Sequence, residues 1–149
     1  MGWENCHLHE FIVDGRRYGT PDPEYDQPGD VSPEGRARLS EVMPMPEAQI
    51  LYIYDFGDYW QHMVCLEAIS SEVPGSEYPR VLNGARSCPP ENCGGAGGYS
   101  DLLEVLTDPT HEDFEHMRQW AGVRFNAEVF SAQEANERLR RNRSLSAKK

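Results

Sequence analysis

Short strand-like apolar stretches separated by turn residues fill the first half of the chain, and the apolar period lengthens to that of a helix near residue 100. Phe11-Ile12-Val13 and Arg16-Arg17-Tyr18 flank Asp14-Gly15. Asp-Gly between short strand-like runs predicts a hairpin, because both turn positions need positive φ. Residues 20–35 hold four prolines and two glycines among many acids, which reads as a loop. Arg36 to Met43 is a weak helical turn, stopped by Pro44 and Pro46. Ile50-Leu51-Tyr52-Ile53-Tyr54 is aromatic and β-branched, Gly57-Asp58 supplies a turn, and Trp60 to Ile69 continues as a second strand. A further short strand is expected at Arg80 to Leu82, before a Pro- and Gly-rich loop from Ser87 to Gly98.

Beyond that loop the apolar period is 3.6. Leu102, Leu103 and Leu106 mark a short helix that Ser100 would cap and Asp108-Pro109 would end. Thr110 and Asp113 open the next, which places Phe114, Met117, Trp120 and Ala121 on one face before Gly122 stops it. Ser131 and Glu134 form a capping box that opens a last helix with Ala135 and Leu139 inward. Strands first and helices afterwards predict an α+β domain, an antiparallel sheet with two or three helices packed on it. No internal repeat is visible. One domain over residues 1–141 is expected, with residues 142–149 as a basic, disordered tail.

Charge narrows the partners. There are 25 Asp and Glu against 14 Lys and Arg, a net charge of −11. Six of the bases lie beyond Glu137, where no acid follows, so 25 acids face 8 bases before that point and the body carries −17. Such a body repels phosphate backbones, and nucleic acid is expected only through the tail. No apolar run approaches the roughly 20 residues of a membrane span. A signal-peptide pattern is absent from the N-terminus, so the cytoplasm is expected, with Cys6, Cys65, Cys88 and Cys93 as reduced thiols.

Two clusters could carry chemistry. Asp55, Asp58, His62 and Glu67 lie in and after one tight turn, where oxygen and imidazole donors could meet a divalent ion. The structural alternative is equally concrete: Gly57-Asp58 is ordinary turn chemistry, Asp55 could accept backbone N–H bonds, and His62 shares a strand face with Trp60, Val64 and Leu66. Cys88 and Cys93 are separated by four residues, at the edge of common zinc spacing, and two prolines stiffen the segment. A zinc site there would need His62, with His7, His9 or His111 brought in by the fold. A buried thiol pair or a disulfide competes with it. Gly94-Gly95-Ala96-Gly97-Gly98 before a helix could cradle an anion, but no Lys follows and Asp101 occupies the first turn, so a flexible connection is the expected role. A His7-x-His9 pair would point both rings to one side of a strand.

Three ordered motifs carry a resemblance over most of the chain, from Met1 to about Leu139. Tyr54-Asp55-Phe56-Gly57-Asp58-Tyr59-Trp60-Gln61-His62 with Leu66-Glu67, Cys88-Pro89-Pro90-Glu91-Asn92-Cys93-Gly94-Gly95 with Gly98-Tyr99, and Asp108-Pro109-Thr110-His111-Glu112 resemble the signatures of the Ri-plasmid ORF-three-like family. Its members occur on plasmids and in insertion elements, some under the label "passenger TnpR-like". The resemblance implies a mobile-element setting and no established activity. Asn92 stands where the family usually has an acid. Met1-Gly2-Trp3 resembles the end of the family's first helix, and typical members carry a strand pair and most of that helix upstream; this implies a sheet lacking those strands and a tendency to self-associate. A recombinase reading finds no support, because Tyr78-Pro79-Arg80-Val81 imitates a serine-recombinase segment but Leu82 takes the place of the nucleophile. The expected function is therefore a non-enzymatic accessory or interaction protein with a protein partner. The alternative is a metal-dependent hydrolase or nuclease using Asp55, Asp58, His62 and Glu67, with Cys88 and Cys93 structural.

Overall fold

The computed structural model describes residues 2–146. They fall into two compact units. The sheet unit comprises residues 5–71 with 94–96, and the helical unit residues 2–4, 72–93 and 97 onward.

The sheet unit is built on five strands: β1 (His9–Val13), β2 (Arg16–Gly19), β3 (Val31–Pro33), β4 (Gln49–Tyr54) and β5 (Trp60–Cys65). Their order is β3-β2-β1-β4-β5. The first hairpin follows the sequence reading: Val13 sits opposite Arg16, leaving Asp14 at φ 48° and Gly15 at φ 78° in a two-residue turn. The sheet is mixed rather than purely antiparallel. Val31–Pro33, expected as loop, runs parallel to β2. Three residues bounded by Gly29 and Pro33 offer no alternation to read, so only tertiary pairing defines this strand.

Period-two alternation combined with this register gives each face its character. Val13 and Ile50 share one face with Phe11 and Tyr18, and Met43 closes over them to form a buried cluster flanked by Val42, Ala48 and Leu66. Ile53 points to the opposite face and is fully buried, at 0% exposure. Burying one such side chain contributes about 1.5–3 kcal/mol. Glu10 is also buried on that face, where Arg17 pairs with it (Nε to Oε2, 2.7 Å) and with Asp26 (3.1 Å). The bond to Glu10 pushes the guanidinium pKa above its usual value, and the second contact ties the acidic 20–30 loop to β2. The weak turn expected at Arg36–Met43 resolves into a 3-10 turn at Glu34–Arg36 and a single helical turn, α1 (Leu39–Val42).

In the helical unit, α3 (Phe114–Ala121) ends at Gly122, and α4 (Ala132–Ser146) starts where Ser131 Oγ accepts the Glu134 N–H at 3.2 Å. α4 reaches Ser146, inside the stretch expected as tail; residues 147–149 lie outside the described ones. The remaining helix, α2 (Gly95–Thr107), begins in the sheet unit, inside the glycine-rich stretch that was expected as a flexible loop. The α+β class holds. The strand expected at Arg80–Leu82 does not form, however, and residues 66–94 contain no helix or strand. Asn136 on α4 does a strand's work there: its Oδ1 accepts the Val81 N–H at 2.8 Å and its Nδ2 donates to the Val81 carbonyl at 2.9 Å. Ser87 Oγ likewise reaches the carbonyls of Asn126 and Val129.

Candidate functional site

The register stacks Phe11, Tyr52 and His62 side by side across β1, β4 and β5. Their rings touch, with centroids 4.8 Å apart for Phe11–Tyr52 and 5.5 Å for Tyr52–His62. His9, two residues before Phe11 and so on the same face, lies 5.8 Å from the Tyr52 ring. Its Nε2 is 3.1 Å from Oε2 of Glu34, which fastens the 3-10 turn over this face. Burial, assisted by the Glu34 carboxylate, pushes the Tyr52 hydroxyl above its usual pKa. Burial pulls His62 below the usual imidazole value, against the carbonyls of Tyr52 (3.4 Å from Nδ1) and Trp60.

Past Phe11 this face hollows into a groove of about 320 Å³. Its walls are mainly apolar, from Phe11, Tyr18, Leu39, Val42, Ile50 and Val64, and Glu34 and Arg38 stand at it as the charged groups. Two of the apolar wall residues remain open to solvent, Leu39 at 72% and Val64 at 41% exposure. Val64 belongs to β5, the last strand in the sheet order, which contains no charged residue and no proline. Next to it Met63 is 58% exposed, and Gln61 and Cys65 are exposed too. Natural edge strands are commonly protected by charges, prolines or bulges, and β5 has neither charge nor proline.

The acid-rich turn is occupied with its own backbone. Asp55, buried and at φ 57°, accepts the N–H groups of Gly57 (2.9 Å) and Asp58 (3.3 Å) through Oδ1, and its Oδ2 lies 3.6 Å from His7 Nε2. Asp58 Oδ2 accepts the Gly94 N–H at 3.1 Å. His62 faces Tyr52, and Glu67 is exposed just after β5. Among the described residues, no three His, Cys, Asp or Glu side chains of a single unit bring ligand atoms within 4.8 Å of one another, so these four do not gather. Cys88 and Cys93 are half-buried thiols of the helical unit, not joined in a disulfide, whereas His62 belongs to the sheet unit. Burial raises the Cys88 pKa, opposed by a hydrogen bond from the Gly2 backbone, so the thiol rather than the thiolate is favoured. His7 and His9 take different partners, Tyr54 and Asp55 for His7 against Glu34 and Phe11 for His9. His111 Nδ1 accepts the Asp113 N–H at the start of α3.

Sequence reasoning missed Glu34, Tyr52 and the groove. Strand alternation puts His9 with Phe11 and Tyr52 with Ile50, but nothing in the sequence sets the β1–β4 register that joins them. Among the described residues, no helix is long and apolar enough to cross a membrane.

Comparison with known proteins agrees with this fold. The uncharacterized protein y4hQ of Sinorhizobium fredii (strain NBRC 101917 / NGR234) is 38% identical over 122 residues, covering 82% of this chain and 62% of its own. The chain thus spans less than two thirds of that relative. The crystal structure of MM3350, a protein of unknown function from Methanosarcina mazei Go1, matches with a TM-score of 0.77 at 36% identity, over 89% of this chain and 74% of that one. Neither description assigns an activity. The family of plasmid pRiA4b ORF-3-like proteins matches residues 1–134. The chain belongs to this plasmid pRiA4b ORF-3-like family.

Proposed function

We propose that the chain is a non-catalytic accessory or interaction protein of the cytoplasm, linked to plasmids or other mobile elements, and that its sheet unit receives an extended segment of a protein partner along β5. One observation carries this reading. An uncharged, proline-free edge strand with exposed Met63 and Val64 runs beside an open apolar groove. Adding a strand to such an edge supplies main-chain hydrogen bonds for affinity, while a neighbouring pocket selects side chains. The His9–Glu34 pair fits a positioning role, because it holds the turn that walls the groove. Peptides selected by display from a random library against the immobilised protein test the reading. Bound peptide should protect the amides of residues 60–65 from hydrogen exchange, and Val64→Lys should abolish binding with little change in melting. Protection elsewhere, or binding indifferent to Val64→Lys, rejects it.

A further inference from the structure

Resting on that reading, we infer that the segment received by β5 is cationic: an extended stretch with lysine or arginine toward both ends and an aliphatic side chain in the groove. From Leu39 to Pro79 the chain has no lysine or arginine and seven carboxylates. Both strands of the β4–β5 hairpin, the edge strand β5 included, lie within this interval. The carboxylates bracket β5 itself. The half-buried Asp58 precedes it in the turn, with the buried Asp55 adding its charge behind it, and the exposed Glu67 follows it. Glu47 joins Glu67 at the far end, because its N–H bonds the Leu66 carbonyl at 2.8 Å. Between these ends β5 is uncharged. At about 3.3 Å per residue its six residues cover roughly 20 Å, so about seven to nine partner residues reach from one acidic end to the other.

The rest of the sheet unit strengthens the sign. Over residues 5–71 there are twelve carboxylates against four arginines. Arg17 is engaged by Glu10 and Asp26, and Arg38 stands at the groove, where Glu34 also stands and is held by His9. An approaching acidic strand therefore meets repulsion at both ends, whereas a basic one is steered in. Successive side chains of an added strand alternate between faces, so those on the groove side find Val64, Ile50 and Phe11. The centre of the segment is accordingly aliphatic and its flanks are charged.

The test uses the full chain and three capped peptides of about nine residues that share a Thr/Val core. Their flanks carry lysines, glutamates or serines. Fluorescence anisotropy at low and physiological salt gives affinity, hydrogen exchange gives the location, and light scattering gives the oligomeric state. The lysine peptide should bind on the order of tenfold tighter than the serine peptide, and this advantage should shrink with salt. It should protect residues 60–65, and Glu47→Gln with Glu67→Gln, which neutralises one of the two acidic ends, should reduce its advantage while leaving serine-peptide binding intact. Equal binding of the glutamate or serine peptide at β5 overturns the charge inference and leaves the edge-strand reading standing. If none of the three protects β5, the edge-strand reading falls and this inference with it. Dimerisation through β5 seen in light scattering and exchange makes a second, acidic copy the occupant, which also overturns the charge inference.

Discussion

The two units hold themselves together by different means. In the sheet unit Val13, Val31, Met43, Ile50, Ile53 and Tyr54 are buried, and successive residues of its strands face opposite sides of the sheet. In the helical unit Leu102 is the only apolar residue buried to that degree among the described residues, and α3 buries none. Its long segment over residues 72–93 has no ladder of its own and is tied by side-chain-to-backbone bonds: Asn136 pairs with the Val81 N–H and carbonyl, Ser87 Oγ donates to the Asn126 and Val129 carbonyls, and Glu91 accepts the Glu4 N–H. Burial of apolar area is non-directional and tolerates small shifts, whereas side-chain-to-backbone bonds fail one at a time. The sheet unit should therefore be the more stable under mutation of polar residues and the more sensitive to loss of volume.

The largest expected effect is loss of volume at Ile53, the centre of β4. Ile53→Ala should cost about 2–5 kcal/mol in urea unfolding, since it removes a fully buried branched chain and leaves a cavity. Asn136→Ala comes next. It strips partners from both the N–H and the carbonyl of Val81 and should cost about 1–3 kcal/mol. Hydrogen exchange would show where the cost falls: amides around residues 80–88 should lose protection while those of β1 and β4 keep theirs. Uniform loss in both units would mean that the contrast between them is wrong.

How much of this was legible depends on the range of the interaction that fixes each element. The Asp14-Gly15 hairpin, the β4–β5 pair and the three later helices are set by turn chemistry and local period, and the sequence reading located them. Val31–Pro33 and Val81 are fixed by partners 14 and 55 residues away, Arg17 and Asn136, which no local pattern announces. The candidate site divides in the same way. Asp55 could be recognised as a turn residue accepting N–H groups, and it is one. The Phe11–Tyr52–His62 row depends on strand register, and the groove depends on where the 3-10 turn lands. The Cys88–Cys93 loop remains a zinc proposal resting on residue type alone.

The start of α2 offers a smaller, two-signed test. A Cβ on Gly98 would collide with the Cys93 carbonyl oxygen, whereas one on Gly97 meets nothing within 4 Å. Gly98→Ala should therefore destabilise by about 1–3 kcal/mol, the range for overpacking. Gly97→Ala should stabilise by about 0.5–1 kcal/mol, because alanine loses less backbone entropy in a helix. Parallel melts of the two variants decide between close packing and the flexible connection expected from composition; if both stabilise, Gly98 is not in close contact with Cys93.

The smallest effect is electrostatic and belongs to His62. Burial depresses its pKa in the folded protein, while in the unfolded chain it titrates near the ordinary value of about 6.5. Above that pH both states hold a neutral ring, and His62 contributes no pH dependence. As pH falls below it, the unfolded chain takes up the proton first, so stability is lost progressively until the folded ring also protonates. The imidazole resonances of His62, followed by NMR, should show a midpoint below 6.5. Urea unfolding of His62→Gln should lose this part of the acid sensitivity, so that the stability difference between variant and wild type narrows as pH is lowered from about 7.5 to 5.5. A midpoint at or above 6.5 would place the ring in water, or beside an anion, and would undo the packing of Tyr52 against His62 on which the aromatic face of the sheet unit rests.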